Sequence, residues 1–213
     1  MIGLVLAAAG TGSRFGSNIP KQFTPLEGKP IYLHALECFF EVIDEAAIVV
    51  PDDWIEEVQK QVQYLPYVGK LILEPGGPQR QDSVYQGLGR LSDKIEMALV
   101  HDAARPFPSS NLISQVIDGT RQHEACVPVL PVGDTVKEVR NQQIVRTLDR
   151  NSMVLVQTPQ GFKMSLLKFA FESAMKEGFY GTDESTLVER LGIPVHVVPG
   201  EGTNVKITWK EDL

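Results

Sequence analysis

The sequence predicts an α/β protein, a three-layer α/β/α sandwich built on a mainly parallel sheet. Short apolar segments typical of buried strands alternate along the chain with longer segments whose apolar residues recur at helical spacing. The first segment, 2–9, is apolar without polar alternation, as expected of a strand buried on both faces. The 213 residues, 43% of them hydrophobic, suffice for one core. We therefore expect a single domain, 1–213.

The remaining elements follow from the same two periodicities. After the first strand, strands are predicted at 46–50, 68–73, 97–100, 125–130, 154–156, 195–198 and 205–208. Helices are predicted at 30–43, 54–64, 82–91, 111–122, 165–176 and 182–191. Pro30 is expected in the first turn of its helix, and Asp82 or Ser83 is expected to cap the third helix.

The segment 131–151 departs from this alternation. Its residues alternate with period two around Asn141, Gln142 and Gln143, which predicts a solvent-exposed β-hairpin. The hairpin has no core face of its own and needs a surface to lie against. A second subunit is the economical candidate, so we predict a protruding β-arm that forms a homodimer.

Composition excludes several classes of protein. A net charge of −7 argues against a nucleic-acid partner, because backbone phosphates would be repelled. No apolar run reaches the length of a membrane span, and no basic region precedes the apolar N-terminal run. Cys38 and Cys126 are too few for a disulfide framework. These features predict a cytoplasmic protein. The four histidines show no metal-ligand spacing and are interpreted as structural; they are His34, His101, His123 and His196.

The loop after the first strand predicts a phosphate cradle. Gly10 and Gly12 let the backbone approach an anion, and Arg14 and Lys21 bring two cations to the same loop. A dinucleotide fingerprint fits poorly, since the third glycine, Gly16, comes one position late, and no P-loop string is present. An ordinary turn with incidental glycines is the plain alternative. Further cations lie in later motifs and predict a locally basic pocket for a small polyanion; they are Arg80, Arg105, Arg150 and Lys206.

At this loop the sequence resembles a known family. The string L-A-A-A-G-x-G-x-R-x-G, followed by P-K-Q, is similar to the signature of sugar-phosphate nucleotidyltransferases, in particular the 2-C-methyl-D-erythritol 4-phosphate cytidylyltransferases. Further motifs follow in that family's order over essentially the whole chain: Gly76-Gly77 with Arg80, D-S-V at 82–84, HDAARP at 101–106, D-T-V at 134–136, D-R-N at 149–151, Q-T-P-Q at 157–160, T-D-E at 182–184 and N-V-K at 204–206. The resemblance implies a Rossmann-like sheet of the GT-A-like nucleotidyltransferase type.

The resemblance also implies a reaction. CMP would pass from CTP to 2-C-methyl-D-erythritol 4-phosphate, giving 4-diphosphocytidyl-2-C-methyl-D-erythritol and pyrophosphate in non-mevalonate isoprenoid precursor synthesis. Fixed cations suit this chemistry because two polyanions must meet. Two alternatives stay open. One is a ribitol-5-phosphate cytidylyltransferase, which typically has a G-G pair where Ala8 and Ala9 stand here and lacks the D-R-N string. The other is a non-catalytic nucleotide-binding regulator.

Roles for single residues follow from the resemblance alone. It implies that Arg14 and Lys21 bind the triphosphate and stabilise the transition state, and that Arg150 and Lys206 complete the catalytic set and position the acceptor. The implied nucleotide contacts are Ala8, Ala9, Gly10, Gly77, Ser83, Asp102 and Ala103. The implied acceptor contacts are Arg105, Thr135 and Thr158, with Thr135 and Arg150 carried by the arm. Arg105 has an alternative role as a structural partner of Asp102.

The resemblance implies a divalent cation, Mg²⁺ or a similar ion, bound mainly by CTP. Asp102 is the expected carboxylate near this ion, in contact with it directly or through a water molecule. The sequence departs from broader nucleotidyltransferases at Thr203 and Asn204, where a second acidic residue is often found, so a cage of two protein carboxylates is not expected. Pro78 also follows Gly77 where related sequences often have a polar residue.

Overall fold

A computed structural model of the chain describes residues 1–10, 12, 15–16 and 19–213. Its strands are β1 (Ile2–Ala7), β2 (Pro25–Leu26), β3 (Lys29–Pro30), β4 (Glu45–Val50), β5 (Leu71–Pro75), β6 (Met97–Asp102), β7 (Ala125–Pro131), β8 (Lys137–Arg140), β9 (Gln143–Thr147), β10 (Val154–Val156), β11 (Gln160–Lys163) and β12 (His196–Pro199). Its α-helices are α1 (Ile31–Glu37), α2 (Ile55–Val62), α3 (Arg80–Arg90), α4 (Ser110–His123), α5 (Met164–Lys176) and α6 (Glu184–Arg190).

One mixed sheet forms the centre of the fold. β6, β1, β4 and β5 lie parallel in that order. β11 inserts antiparallel between β6 and β7, and β7 also pairs antiparallel with β10 and parallel with β12. Successive residues of the central strands enter two different apolar clusters, one with α1, α2 and α4 and the other with α3, α5 and α6. The predicted three-layer architecture with a mainly parallel sheet is therefore confirmed.

The sheet register positions the candidate site. Ala7, the last residue of β1, pairs with Val49 of β4 on one side and with Asp102 of β6 on the other. The loop that follows β1 and the carboxylate that ends β6 thus emerge side by side. This is the carboxyl edge of parallel strands, where open α/β sheets bind ligands.

Several predicted boundaries are wrong. The first helix ends at Glu37 and not at 43, because Phe39 and Val42 form tighter bonds to carbonyls three residues back as the chain turns toward β4. Pro30 precedes that helix and does not lie in its first turn. α3 begins at Arg80 with Gln79 as its cap. Asp82 instead occupies the third helical position, where its carboxylate accepts the Gln79 N–H at 3.1 Å.

Two strand predictions also differ from the structure. Residues 68–70 form a 3₁₀ turn, so that strand begins only at Leu71. The predicted strand 205–208 does not form, because this segment pairs with loops: the Ile207 N–H donates to the Ala104 carbonyl at 2.8 Å. β11 was not predicted, since Pro159 and Gly161 give its sequence the composition of a turn.

The predicted hairpin in 131–151 is confirmed. β8 and β9 pair antiparallel, and Asn141 and Gln142 at the turn both have positive φ, of 48° and 63°. Nearly all side chains of the two strands are exposed. As for membranes, none of the described helices is long and apolar enough to span a bilayer.

Candidate active site

A cavity of about 360 Å³ opens at the carboxyl edge of the sheet, between the loop after β1 and the start of α3. Its lining combines small residues with cations and one carboxylate. The lining residues are Ala7, Ala8, Ala9, Gly10, Gly12, Lys21, Gln22, Gly77, Pro78, Gln79, Arg80, Ser83, Asp102, Ala104, Lys206 and Thr208. Most predicted nucleotide contacts therefore line this one cavity. In the described part of its wall, three cations face a single carboxylate, so an acidic chain carries a locally basic pocket.

A buried glutamine shapes the loop after β1. The Gln22 side chain is 3% exposed, and its amide donates to the Ala8 carbonyl at 2.5 Å and to the Gly10 carbonyl at 2.9 Å. The Ala8 N–H continues the sheet by donating to the Val49 carbonyl at 2.8 Å. That N–H cannot bind an anion, so a phosphate cradle in this loop starts after Ala8.

The glycine pair before α3 closes the opposite side of the cavity. A Cβ on Gly76 would collide with the Cβ of Ala9, so only glycine allows these two segments to approach this closely. The Gly77 N–H donates to the Ser83 hydroxyl at 3.1 Å, and that hydroxyl donates to the Gln79 carbonyl at 3.0 Å. Ser83 therefore fixes the backbone of the wall.

An ionic network crosses the floor of the cavity. Asp102 Oδ1 accepts from Arg80 Nε at 3.2 Å and Nη2 at 3.0 Å, while Asp102 Oδ2 accepts from Lys206 Nζ at 2.5 Å. The outer edge of the Arg80 guanidinium meets both oxygens of Glu184, with Nη1 to Oε1 at 2.7 Å and Nη2 to Oε2 at 3.1 Å. Two cations and two carboxylates thus form one continuous chain.

Burial and charge act in opposite directions on these carboxylates. Burial alone would raise the pKa of Asp102, but the charges of Arg80 and Lys206 outweigh it and hold that pKa well below its usual range. Asp102 is therefore fully ionised near neutral pH. For Glu184 burial prevails, and its pKa is raised although Arg80 opposes the shift.

The predicted cations have three different placements. Lys21 lies on the cavity wall, and its amine donates to the Ile207 carbonyl at 2.7 Å. Lys206, one residue earlier on the same segment, lies on the wall beside Asp102. Arg14 falls outside the residues that the structure describes, so its role stays a prediction.

Three predicted contacts lie beneath the wall. Ala103 is buried, and the neighbouring Ala104 lines the cavity in its place. The Thr158 hydroxyl accepts the Asp102 N–H at 3.1 Å, which ties it to the backbone under the carboxylate. Arg105 Nη1 donates to the Asn204 carbonyl at 2.6 Å, on the segment that carries Lys206. Among the described residues, the Arg105 guanidinium therefore bonds to a backbone carbonyl. The alternative ion pair with Asp102 is not formed there.

Thr135 and Arg150 are exposed on the arm and do not line the cavity of their own chain. Arg150 Nη1 donates to the Gly133 carbonyl at 2.6 Å, which links the two ends of the arm. Acceptor contacts by these two residues stay a prediction.

His101 is structural, as predicted, and its placement gives a stability prediction. The ring is fully buried, with Nε2 2.9 Å from the Arg105 carbonyl and Nδ1 3.1 Å from the Thr158 hydroxyl. Burial lowers its pKa from 6.5 to about 4. The unfolded chain therefore binds one more proton between these pH values, and the free energy of unfolding should fall on acidification through this window, by at most about 1.4 kcal/mol per pH unit.

Urea unfolding at pH 7, 6 and 5 measures this slope, with His101→Gln as the comparison. The raised pKa of Glu184 acts in the opposite direction, and the lowered pKa of Asp102 acts only at still lower pH. Both groups remain in the variant. The native protein should therefore lose more stability over this range than the variant does. Parallel pH profiles would contradict the assignment.

The donor set fits a metal ion shared with a substrate better than a metal ion caged by protein. Within the described residues no group of three or more His, Cys, Asp or Glu side chains could hold a metal ion. Asp102 is the carboxylate of the cavity wall, and both its oxygens already meet cations. A hard cation such as Mg²⁺ typically combines one or two carboxylates with substrate phosphates and water.

Several residues of the network and wall were not assigned roles from the sequence. Arg80 was noted as a motif cation, while Gln22 and Glu184 appeared only within the P-K-Q and T-D-E strings. Their positions in those strings were the sequence signal that could have identified Gln22 and Glu184 as part of the site. Thr208 gave none, because it was placed in a strand that does not form.

The loop, the cation-lined cavity and the mainly parallel sheet together define an α/β nucleotidyltransferase. Comparison with known proteins specifies the family. The family model described as "IspD: 2-C-methyl-D-erythritol 4-phosphate cytidylyltransferase" matches residues 2–213, and the chain belongs to this family. The predicted function, cytidylyl transfer in non-mevalonate isoprenoid synthesis, is confirmed at the level of this family.

Relatives and solved structures agree with this membership. A 2-C-methyl-D-erythritol 4-phosphate cytidylyltransferase of Syntrophus aciditrophicus is 41% identical over 213 residues, which cover 98% of this chain and 91% of that protein. The crystal structure of the Thermus thermophilus enzyme of the same name is 33% identical, with a TM-score of 0.81 over 98% of this chain and 93% of that chain. The 4-diphosphocytidyl-2C-methyl-D-erythritol synthase of Anaerococcus prevotii has a TM-score of 0.86 at 29% identity, over 99% and 94% of the two chains.

Proposed function

We propose that the cavity at the carboxyl edge binds CTP and an acceptor sugar phosphate, and that its cations carry the cytidylyl transfer to 2-C-methyl-D-erythritol 4-phosphate. The observation that supports this is the set of Lys21, Arg80 and Lys206 around one cavity that a glycine-containing loop opens. Such a site attracts two polyanions and offsets their mutual repulsion.

The reaction is an in-line displacement at the α-phosphorus. A phosphate oxygen of the acceptor forms a bond to the α-phosphorus, the bond from that phosphorus to the bridging oxygen breaks, and pyrophosphate leaves with the electron pair. The acceptor phosphate is already ionised near neutral pH, so no side chain has to remove a proton. The chain's contribution is position and charge: Lys21, with Arg14 as its predicted companion, stabilises the charge that develops on the phosphate oxygens.

The small residues of the wall select the base. Ala8, Ala9 and Gly10 on one side and Gly77 on the other leave a narrow slot, whose width the contact between Gly76 and Ala9 fixes. A slot of this kind admits a pyrimidine more easily than a purine, because a purine's second ring needs additional space. Ser83 supports this wall through its bonds to the backbone of the glycine loop.

We further propose that Mg²⁺ enters with CTP and shares Asp102 as its protein carboxylate, directly or through water. Bound there, the ion would neutralise phosphate charge. Asp102 is suited to the role because it stays ionised and faces the cavity. Lys206, which holds the same carboxylate, is placed to reach the acceptor phosphate, while Arg105 and Thr158 hold the segments that carry both groups.

The arm supports a homodimer. Large apolar side chains are exposed along it, including Val139 at 56%, Ile144 at 66% and Val145 at 52%. The strand β10 beside its base adds Leu155 at 56% exposure. Val139 and Ile144 are paired across β8 and β9, and an exposed apolar pair of this kind favours a partner. A second copy placed against it would bring its own arm, with Thr135 and Arg150, toward the neighbouring cavity.

The thiols of Cys38 and Cys126 are free, as suits the reducing cytoplasm that the sequence predicts.

A substrate panel tests the proposed function. The protein is incubated with Mg²⁺, each nucleoside triphosphate in turn and a set of sugar and polyol phosphates, and pyrophosphate release is measured. The expected result is turnover with CTP and 2-C-methyl-D-erythritol 4-phosphate. Turnover with ribitol 5-phosphate alone would favour the second candidate acceptor, and nucleotide binding without pyrophosphate release would favour a regulator.

A further inference from the structure

Glu184 is a buried carboxylate for which the reaction as described has no use. It is the first residue of α6 and the last of the T-D-E string, and 1% of its surface is exposed. It does not line the cavity. Burying a carboxylate is costly unless it is paired and hydrogen-bonded, so its presence at this position requires a compensating partner.

That partner is Arg80, and the geometry of the pair is specific. Both carboxylate oxygens of Glu184 accept from different nitrogens of the guanidinium, which is the bidentate arrangement that fixes an arginine most firmly. Two of the remaining donors, the Nε hydrogen and the second hydrogen of Nη2, meet Asp102 Oδ1. Because the guanidinium is planar and rigid, the position of Glu184 determines how Arg80 presents itself to Asp102.

Charge gives the pair a second effect on Asp102. Without Glu184, the positive charge of Arg80 would face Asp102 alone and would neutralise much of its field. With Glu184 present, its negative charge at the outer edge of the guanidinium balances the positive charge of Arg80. Asp102 then keeps its negative charge for the cation on its cavity side, where Lys206 Nζ now lies 2.5 Å away.

We infer that Glu184 is a positioning residue, which acts through Arg80 to hold Asp102 in place and to leave the negative charge of Asp102 available to a cation in the cavity. This inference rests on the proposed role of Asp102 toward Mg²⁺ and CTP. It extends that role to a residue outside the cavity wall, and it gives the T-D-E string a physical reason.

The inference is tested by the binding of CTP to Glu184→Gln, measured calorimetrically with Mg²⁺ and again with a chelator. The substitution keeps the shape of the side chain and removes its charge. The gain in CTP affinity that Mg²⁺ provides should fall by about tenfold, a typical size for coupling between two ligands. Affinity without the metal should be unchanged or higher, because Arg80 then adds an unbalanced positive charge near the triphosphate.

This opposite behaviour separates positioning from a general structural defect. A defect in folding or packing would weaken CTP binding by the same factor with and without Mg²⁺, and that result would overturn the inference. Glu45→Gln is the matched control. Glu45 is partly buried, accepts from the Ser92 N–H at 2.8 Å and hydroxyl at 2.5 Å, and lies at the opposite end of the sheet. It should leave the metal-dependent gain unchanged.

Further variants keep the test decisive. If Glu184→Gln does not fold, Glu184→Asp withdraws the carboxylate from Arg80 and should lower the metal-dependent gain without lowering the affinity measured with the chelator. An equal loss with and without Mg²⁺ in that variant would overturn the inference. If Glu184 acts through Arg80, the Arg80→Gln/Glu184→Gln double variant should lose no more of the gain than Arg80→Gln alone. Additive losses would mean that the two residues act independently.

If the native protein showed no metal-dependent gain, the proposed role of Asp102 would fail first, whatever the variants did.

Discussion

Replacing Lys21 by alanine is expected to lower kcat by about 10²-fold or more while the protein stays folded. The amine lies on the wall of the cavity, and its one hydrogen bond that the structure details, 2.7 Å to the Ile207 carbonyl, contributes little to the core. Loss of a fixed charge at the reacting phosphate removes stabilisation that is present mainly in the transition state. Pyrophosphate release at saturating CTP and acceptor measures the effect.

The matched control is Lys29→Ala. Lys29 lies close in sequence but pairs with Glu37 on the surface, away from the cavity, and its removal should leave kcat within a factor of about two. A Lys21→Ala variant that retained kcat within a few-fold of the native value would remove this residue from the catalytic role.

Mixing two inactive variants is expected to restore activity if the arm completes the neighbouring site. Lys21→Ala damages the body of a subunit, and Arg150→Ala damages its arm. In a heterodimer of the two, one site combines both lesions and the other has neither. Random exchange makes half of the dimers mixed, so about a quarter of the native activity per subunit should return.

The assay needs conditions that allow subunits to exchange, and each variant alone as its baseline. If Arg150 serves the cavity of its own chain, every site in the mixture carries one lesion. Activity would then stay at the residual rates of the two variants. A monomeric protein in sedimentation experiments would contradict the arm hypothesis independently.

Local sequence signals predicted the two strand ends and the glycine loop that line the cavity. The carboxyl ends of β1 and β6 were recognisable because each follows a short run of buried residues, and the parallel register places Ala7 beside Asp102. The glycine loop and Lys21 indicated anion binding by residue type alone, because glycines let the backbone approach a ligand and lysine carries a positive charge. The hairpin was equally local, because alternation with period two and a turn at Asn141 suffice to specify it.

What the sequence did not predict depends on contacts between distant segments. Residues 205–208 have the composition of a strand, yet the Ile207 N–H and carbonyl bond to Ala104 and Lys21, which draws the segment into the site. β11 contains turn residues but fills the gap between β6 and β7. The Arg80 to Glu184 pair joins residues 104 positions apart, so no local pattern could reveal it.

A structure of the protein bound to CTP and Mg²⁺ tests the central claim most directly, namely that this cavity is where cytidylyl transfer takes place. The cytosine should lie in the slot between residues 8–10 and Gly77, with Lys21 Nζ within about 3 Å of a phosphate oxygen of CTP. The metal ion should lie between the triphosphate and Asp102. A nucleotide bound outside this cavity, or phosphates that contact neither Lys21 nor the Asp102 and Lys206 pair, would contradict the account.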